Sequence, residues 1–124
     1  MIQASLPFLL LAVHYLADFC LTTHSMIAAK ADGKNLWPIA CHAFVHAILM
    51  ALVVWLVGYA FKTGLFVLAV EWLSHLAIDT AKGRLTSHYA ILADATRKPY
   101  WMLYGLDQFL HVGVIIVLLE VITI

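Results

Sequence analysis

Four long apolar segments, each interrupted by a pair of ionisable side chains, constrain the fold of this 124-residue chain more than any other feature. They cover about residues 5–23, 37–60, 63–85 and 100–124. A membrane helix needs about 20 mostly apolar residues, and a helix satisfies its own backbone polar groups in lipid. The segments therefore predict an all-α fold, a polytopic membrane four-helix bundle that forms one transmembrane domain over residues 1–124.

The composition also favours a membrane protein. The chain is 65% hydrophobic and 11% charged, whereas a soluble domain is typically about 45–50% apolar and about 25% charged. The formal net charge is zero, so nothing favours nucleic acid as a partner. No Lys or Arg precedes the first apolar run, which is therefore expected to be retained rather than cleaved as a signal peptide. Cys20 and Cys41 belong to no CxxC motif and are expected to be free thiols.

Positive charges are unevenly divided between the two sides of the predicted bundle. The connections 24–36 and 86–99, with the end of the third segment, carry six Lys and Arg residues, whereas the opposite side has Lys62. The positive-inside rule places the two long connections in the cytoplasm and both termini outside. We therefore expect a multi-pass protein of the cell (inner) membrane.

Each apolar segment carries two His or Asp side chains four residues apart, a spacing that puts both on one face of a helix. At a rise of about 1.5 Å per residue, every pair lies roughly 10–13 Å from the cytoplasmic end of its span. The spans alternate in direction and the pairs still reach one layer, which predicts a single buried site. The pairs are His14 and Asp18, His42 and His46, His75 and Asp79, and Asp107 and His111.

This layer indicates a metal site. An Asp near the centre of a membrane helix costs about 2.5–3.5 kcal/mol, so the buried Asp residues need a compensating partner. Imidazole and carboxylate ligands suit a divalent transition metal, with zinc favoured and iron or manganese as alternatives. Eight candidate ligands are too many for one ion and predict two ions about 3.5–4 Å apart. A proton relay, or hydrogen bonds that join the helices, would use the same residues.

Two neighbouring residues are candidate catalytic groups. Glu71 precedes His75 by one helical turn on the same face, as a general base, a further ligand or a partner that orients the His ring. Lys82 follows Asp79 by three residues at the cytoplasmic mouth. There Lys82, together with Arg84, would hold an anionic head group or phosphate, and ordinary snorkelling is the alternative.

The ordered motifs resemble a known family. HYLADF begins at His14, HAFVH at His42, HLAID at His75 and DQFLH at Asp107, with MIAAK ending at Lys30 after the first motif. This set is similar to the DUF3307 family, small bacterial and phage membrane proteins without an assigned function. The layout is similar, more loosely, to membrane-bound metal-dependent hydrolases of the YdjM type.

Three functions are compatible with the His/Asp layer. The first is a di-metal hydrolase that acts on a lipid or lipid-linked substrate from the cytoplasmic side. The second is a metal ion or proton transporter that uses the same residues. The third is a di-iron enzyme of lipid redox chemistry, ranked last because membrane desaturases are typically richer in His. Membrane lipid is the expected partner, and a homodimer stays open because Gly58, Gly105 and Gly113 permit close helix contacts.

Overall fold

The regular structure of the chain is entirely helical over residues 2–124, the range that this computed structural model describes, with side chains from residue 5 onward. A π-helical turn, Leu16–Cys20, extends the first helix, and a short 3₁₀ turn, Ala90–Leu92, precedes the last one. The all-α prediction is therefore confirmed. The α-helices are α1 (Ile2–Tyr15), α2 (His24–Asp32), α3 (Leu36–Leu56), α4 (Phe61–His88) and α5 (Lys98–Thr123).

Within the described residues, three helices are long and apolar enough to cross a membrane, namely α3, α4 and α5. The first predicted span differs, because its helix ends at Cys20 and the chain bends by 94° before α2 begins. The polar stretch after His24, predicted as a connection, forms the helix α2 instead. Together Ser5–Cys20 and α2 have the length and composition of a broken span or a re-entrant segment.

The distribution of side chains is inverted relative to a soluble protein. Large apolar side chains are exposed on the outside, including Trp37 at 76%, Phe109 at 72% and Phe8 at 70%. Ionisable side chains are buried inside, and His46, His75 and Asp79 each have an exposed fraction of 0%. Soluble proteins rarely expose so many large apolar side chains while they bury so many ionisable groups. The exposed apolar side chains are compatible with the hydrocarbon layer of a membrane.

Helices α3 and α4 form an antiparallel pair joined by the four residues 57–60. Near the connection, Trp55 Nε1 donates a hydrogen bond to the Phe61 carbonyl oxygen at 3.2 Å. Toward the opposite end, Trp72 Nε1 donates to the Ala40 carbonyl oxygen at 3.0 Å. These two bonds join α3 and α4 near both ends of the antiparallel pair.

Helix α2 is delimited by its caps and lies directly against α4. Thr23 Oγ1 accepts a hydrogen bond from Met26 N at the start, and Gly33 ends the helix in the left-handed conformation at φ 65°. A Cβ atom at Gly83 of α4 would lie 2.5 Å from Gly33 N and 2.6 Å from the Lys30 carbonyl oxygen. Glycine at both positions therefore allows the two backbones to touch.

Prolines mark two of the helix starts. Pro38 lies in the first turn of α3 and Pro99 in the first turn of α5, where a missing N–H costs no helical hydrogen bond. Pro7 lies inside α1, which begins at Ile2. In the loop before α5, the Asp94 carboxylate accepts hydrogen bonds from Thr96 Oγ1 and N, which lower the pKa of Asp94.

Candidate metal centre

The four predicted pairs come together in one buried cluster. The His75 ring lies at its centre, with ring centroids 3.8 Å from His46, 4.0 Å from His111 and 5.2 Å from His42. The His14 ring centroid lies 4.9 Å from that of His46. Each of the four pairs comes from a different helix or its extension, so the spacing of four residues has placed every pair on an inward face. The seven members that are at most 5% exposed are His14, His42, His46, His75, Asp79, Asp107 and His111; the Asp18 side chain is also 5% exposed.

The three aspartates contact the histidine ring nitrogens. Asp18 Oδ1 lies 3.1 Å from His42 Nε2 and 3.4 Å from His46 Nε2. Asp79 links two further rings, with Oδ2 3.4 Å from His75 Nε2 and Oδ1 3.4 Å from His111 Nε2. Each carboxylate therefore joins side chains from different helices.

Asp107 lies at the edge of the cluster. Its Oδ1 is 3.5 Å from His111 Nε2, one turn further along α5. Its Oδ2 accepts hydrogen bonds from Lys82 Nζ at 2.9 Å and from Gln108 Nε2 at 3.2 Å. Gln108 Nε2 also donates to Asp18 Oδ2 at 3.2 Å, so this amide connects two carboxylates.

Glu71 belongs to the cluster. Its side chain is 2% exposed, and its Oε1 lies 3.2 Å from Nδ1 of His75. The Nε2 of His75 faces Asp79 on the other side of the ring. His75 therefore stands between two carboxylates. This geometry is compatible with Glu71 as a ligand or as a group that orients the ring.

The donor atoms fit a metal ion by distance and by their lack of other partners. Among the described residues, three sets of side chains offer ligand atoms within 4.8 Å of one another, and His75 is common to all three. Buried His14 Nδ1, His46 Nδ1 and Glu71 Oε2 have no hydrogen-bond partner in the part of the chain that is described. Unpaired polar atoms are costly to bury, and metal ligation would satisfy them. The sets are His14, His46, Glu71 and His75; Asp18, His42, His46 and His75; and His75, Asp79 and His111.

The sequence did not predict Lys30 as part of this centre. Its Nζ lies 3.1 Å from Asp18 Oδ1, 3.2 Å from Asp79 Oδ2 and 3.1 Å from His42 Nε2. In the sequence, Lys30 contributes to the positive charge of the connection 24–36 and ends the segment MIAAK of the family resemblance. A sequence signal did exist, because the capping residue Thr23 and the glycine Gly33 bracket a helix around Lys30.

Lys82 lies close to the predicted position at the mouth of the site. It contacts Asp107, with its Nζ 5.0 Å from the Tyr104 ring centroid. Arg84 was predicted beside Lys82, but it lies against Gly33. A Cβ atom added at Gly33 would be 2.7 Å from the backbone nitrogen of Arg84. The two histidines outside the pairs, His24 and His88, are exposed and stay outside the cluster.

A pocket of about 350 Å³ opens at the same end of the molecule as α2 and the loop before α5. Its polar wall brings the edge of the cluster to the surface through Asp18, Lys30, Lys82, Asp107 and Gln108. The remaining wall is largely apolar and includes Phe19, Ile27 and Leu103, with hydroxyl-bearing side chains of Thr and Tyr between them. At the opposite end the cluster is closed by apolar side chains, namely Leu6, Leu10, Met50, Val54, Val67, Ile115 and Leu118.

The fold and the cluster together define a class: an all-helical protein with membrane-type helices around a buried centre of histidines and carboxylates. Residues 6–124 match the family described as "Protein of unknown function (DUF3307)", and the chain belongs to that family. The resemblance found from the motifs is thereby confirmed over nearly the whole chain. No curated protein and no solved structure matches it.

Proposed function

We propose that this protein is an intramembrane metal-dependent hydrolase that acts on a lipid or lipid-linked substrate from the cytoplasmic side. The observation that carries the proposal is the buried cluster of five histidines and four carboxylates beside a pocket that is charged at the cluster and largely apolar elsewhere. A substrate with a polar head and an apolar chain suits such a pocket. Membrane lipids are substrates of this kind.

The proposed arrangement in the membrane is a four-helix bundle of the inner membrane. Helices α3, α4 and α5 are three spans, and α1 with the bent α2 is the fourth. The distribution of Lys and Arg favours the pocket end on the cytoplasmic side, with both termini outside. A substrate would then enter from the cytoplasmic leaflet.

The ligand set favours zinc, with iron or manganese as alternatives, and the ligand count leaves room for up to two ions. A divalent ion in this centre would acidify a water molecule, which supplies the nucleophile of hydrolysis. His14, His46 and His75 would bind it through ring nitrogens. Glu71 would act as a fourth ligand, or orient His75, or accept a proton during the reaction.

The pocket residues have separate proposed roles. Lys82 would bind an anionic group of the substrate, because its side chain is 24% exposed and lies at the pocket wall. Gln108 would hold Asp18 and Asp107 in place through its two hydrogen bonds. The apolar wall would exclude water around the acyl part of the substrate.

A metal ion or proton transporter is the second candidate, since it would use the same His/Asp layer. The apolar layer of Leu6, Leu10, Met50 and Val54 favours the hydrolase over this alternative. A conductor needs access to its site from both sides of the membrane, whereas this layer separates the cluster from the opposite end. A di-iron redox enzyme remains the third candidate.

Metal content and turnover test the proposal together. Protein purified in detergent without chelator should contain a divalent transition metal, and the variant His46→Ala should lose it. The matched control His88→Ala removes an exposed histidine and should retain the metal. Turnover of lipids in mixed micelles, followed by mass spectrometry, should depend on the metal. Metal uptake into proteoliposomes without any lipid turnover would contradict the hydrolase and favour the transporter.

A further inference from the structure

The Lys30 ammonium bridges two carboxylates. Its Nζ lies 3.1 Å from Asp18 Oδ1 and 3.2 Å from Asp79 Oδ2, and these residues come from the α1 extension and from α4. The third neighbour is His42 Nε2 at 3.1 Å. Two carboxylate oxygens and one imidazole nitrogen are also the donors that a divalent metal would take.

The fold holds Lys30 in that position. Helix α2 lies against α4 through Gly33 and Gly83, at a distance that excludes a Cβ on either residue. The Lys30 side chain is 19% exposed, so most of it is enclosed. A lysine at a membrane boundary normally extends toward water. Here the side chain is directed into the cluster, which indicates a specific role in it.

The three sets of candidate ligands differ in their relation to Lys30. The set with Asp18 and His42 contains two residues that contact the ammonium, and the set with Asp79 and His111 contains one. The set of His14, His46, Glu71 and His75 contains none of the three residues that contact the Lys30 ammonium. An ion can therefore bind on the Glu71 side of His75 without displacing Lys30.

The charge balance of the buried centre points the same way. When the four carboxylates of Asp18, Glu71, Asp79 and Asp107 are ionised, the ammoniums of Lys30 and Lys82 neutralise half of their charge. One divalent ion neutralises the remainder if the histidine rings are neutral, as ligands are. With both lysines present, a second ion would leave two uncompensated positive charges in a medium of low dielectric constant, which is strongly unfavourable. Without Lys30 the excess would fall to one charge, so removal of this lysine favours a second ion.

We propose that each chain holds one divalent ion, bound by His14, His46, Glu71 and His75, and that the Lys30 ammonium takes the place of a second ion between Asp18 and Asp79. This inference rests on the metal centre of the proposed function. It replaces the two ions expected from ligand counting by one ion and one lysine. It also gives the pocket a fixed cation, because Lys30 lines the pocket whereas Glu71 does not.

Metal stoichiometry tests the inference without any activity assay. Zinc per chain is measured by elemental analysis after equilibration with saturating zinc and removal of the free ion. The wild-type protein and the control Lys62→Met, which removes an exposed lysine, should each bind one equivalent. The variant Lys30→Met should bind two, because it releases Asp18, Asp79 and His42 as ligands. Two equivalents in the wild-type protein, or one in Lys30→Met, would overturn the assignment.

X-ray absorption on the wild-type protein keeps the test decisive if Lys30→Met fails to fold. The zinc-loaded protein should show nitrogen and oxygen neighbours and no metal–metal distance near 3.5–4 Å. Such a distance would show that Lys30 does not take the place of a second ion, but it would not contradict the metal centre itself. Wild-type protein that binds no metal would contradict the centre itself, whereas one bound equivalent without hydrolysis would contradict only the proposed activity.

Discussion

Glu71 Oε1 lies 3.2 Å from Nδ1 of His75, one turn further along α4. The contact holds the central ring of the cluster so that its Nε2 faces Asp79. Carboxylates that contact a ligating histidine fix the orientation of the ring and raise its basicity. Glu71 thus links the apolar half of α4 to the centre, whether it binds the ion or orients His75.

We expect Glu71→Gln to lower the metal affinity about 10–100-fold, as loss of such a partner typically does, without unfolding the protein. The amide retains an oxygen that can contact His75 but loses the charge that attracts the ion. Competition with a chromogenic chelator measures the affinity, and circular dichroism follows the fold. Glu120→Gln, on the exposed surface of α5, is the control and should leave the affinity unchanged. Equal affinities in both variants would exclude Glu71 from the centre.

The pattern of side chains in the sequence predicts most of this architecture. A spacing of four residues puts two side chains on one helix face, so the pairing of His14 with Asp18 and of His75 with Asp79 follows from each helix alone. The position of Lys30 does not, since it depends on a 94° bend and on contact between two glycines 50 positions apart in the chain, Gly33 and Gly83. Such long-range backbone contacts leave no periodic signal. The residues Thr23 and Gly33 indicate a separate helix after Cys20, but they do not indicate the angle of the bend before it.

Gly83→Ala should separate α2 from α4. The added Cβ would lie 2.5 Å from Gly33 N and 2.6 Å from the Lys30 carbonyl oxygen, and backbone atoms cannot move away cheaply. Overpacking of this kind typically costs about 1–3 kcal/mol. We expect a lower unfolding temperature and faster proteolysis between α2 and α3.

The control for this change is Gly105→Ala in α5, because nothing lies within 4 Å of the added Cβ there. Alanine also has the higher helix propensity, by about 1 kcal/mol, so this variant should be as stable as the wild-type protein or more so. If Gly83→Ala were equally well tolerated, the close contact of α2 with α4 would not exist in the membrane.

Lys82→Met should weaken substrate binding and leave the metal in place. Lys82 lines the pocket, and its partner Asp107 belongs to none of the three candidate ligand sets. For a lipid substrate with an anionic head group, loss of a charge-assisted contact of about 1.5–3 kcal/mol corresponds to roughly a 10- to 150-fold rise in KM. Elemental analysis should give the same metal content as in the wild-type protein.

Two comparisons make this result specific. Lys62→Met removes a lysine at the opposite end and should leave KM unchanged. A substrate with a neutral head group should show no difference between Lys82→Met and the wild-type protein. A Lys82→Met variant that loses its metal would instead assign this lysine to the integrity of the centre through Asp107.

The orientation in the membrane can be tested by cysteine labelling, in a background where Cys20 and Cys41 are replaced by serine. Ser87 and Lys62 are both exposed and lie at opposite ends of α4. The helix has 28 residues, so at about 1.5 Å per residue it is long enough to cross the hydrocarbon layer. In intact spheroplasts, a membrane-impermeant maleimide should label Lys62→Cys at once and Ser87→Cys only after permeabilisation. The reverse pattern would place the pocket, with Lys30 and Lys82, on the outer face, and substrates would then have to come from the outer leaflet.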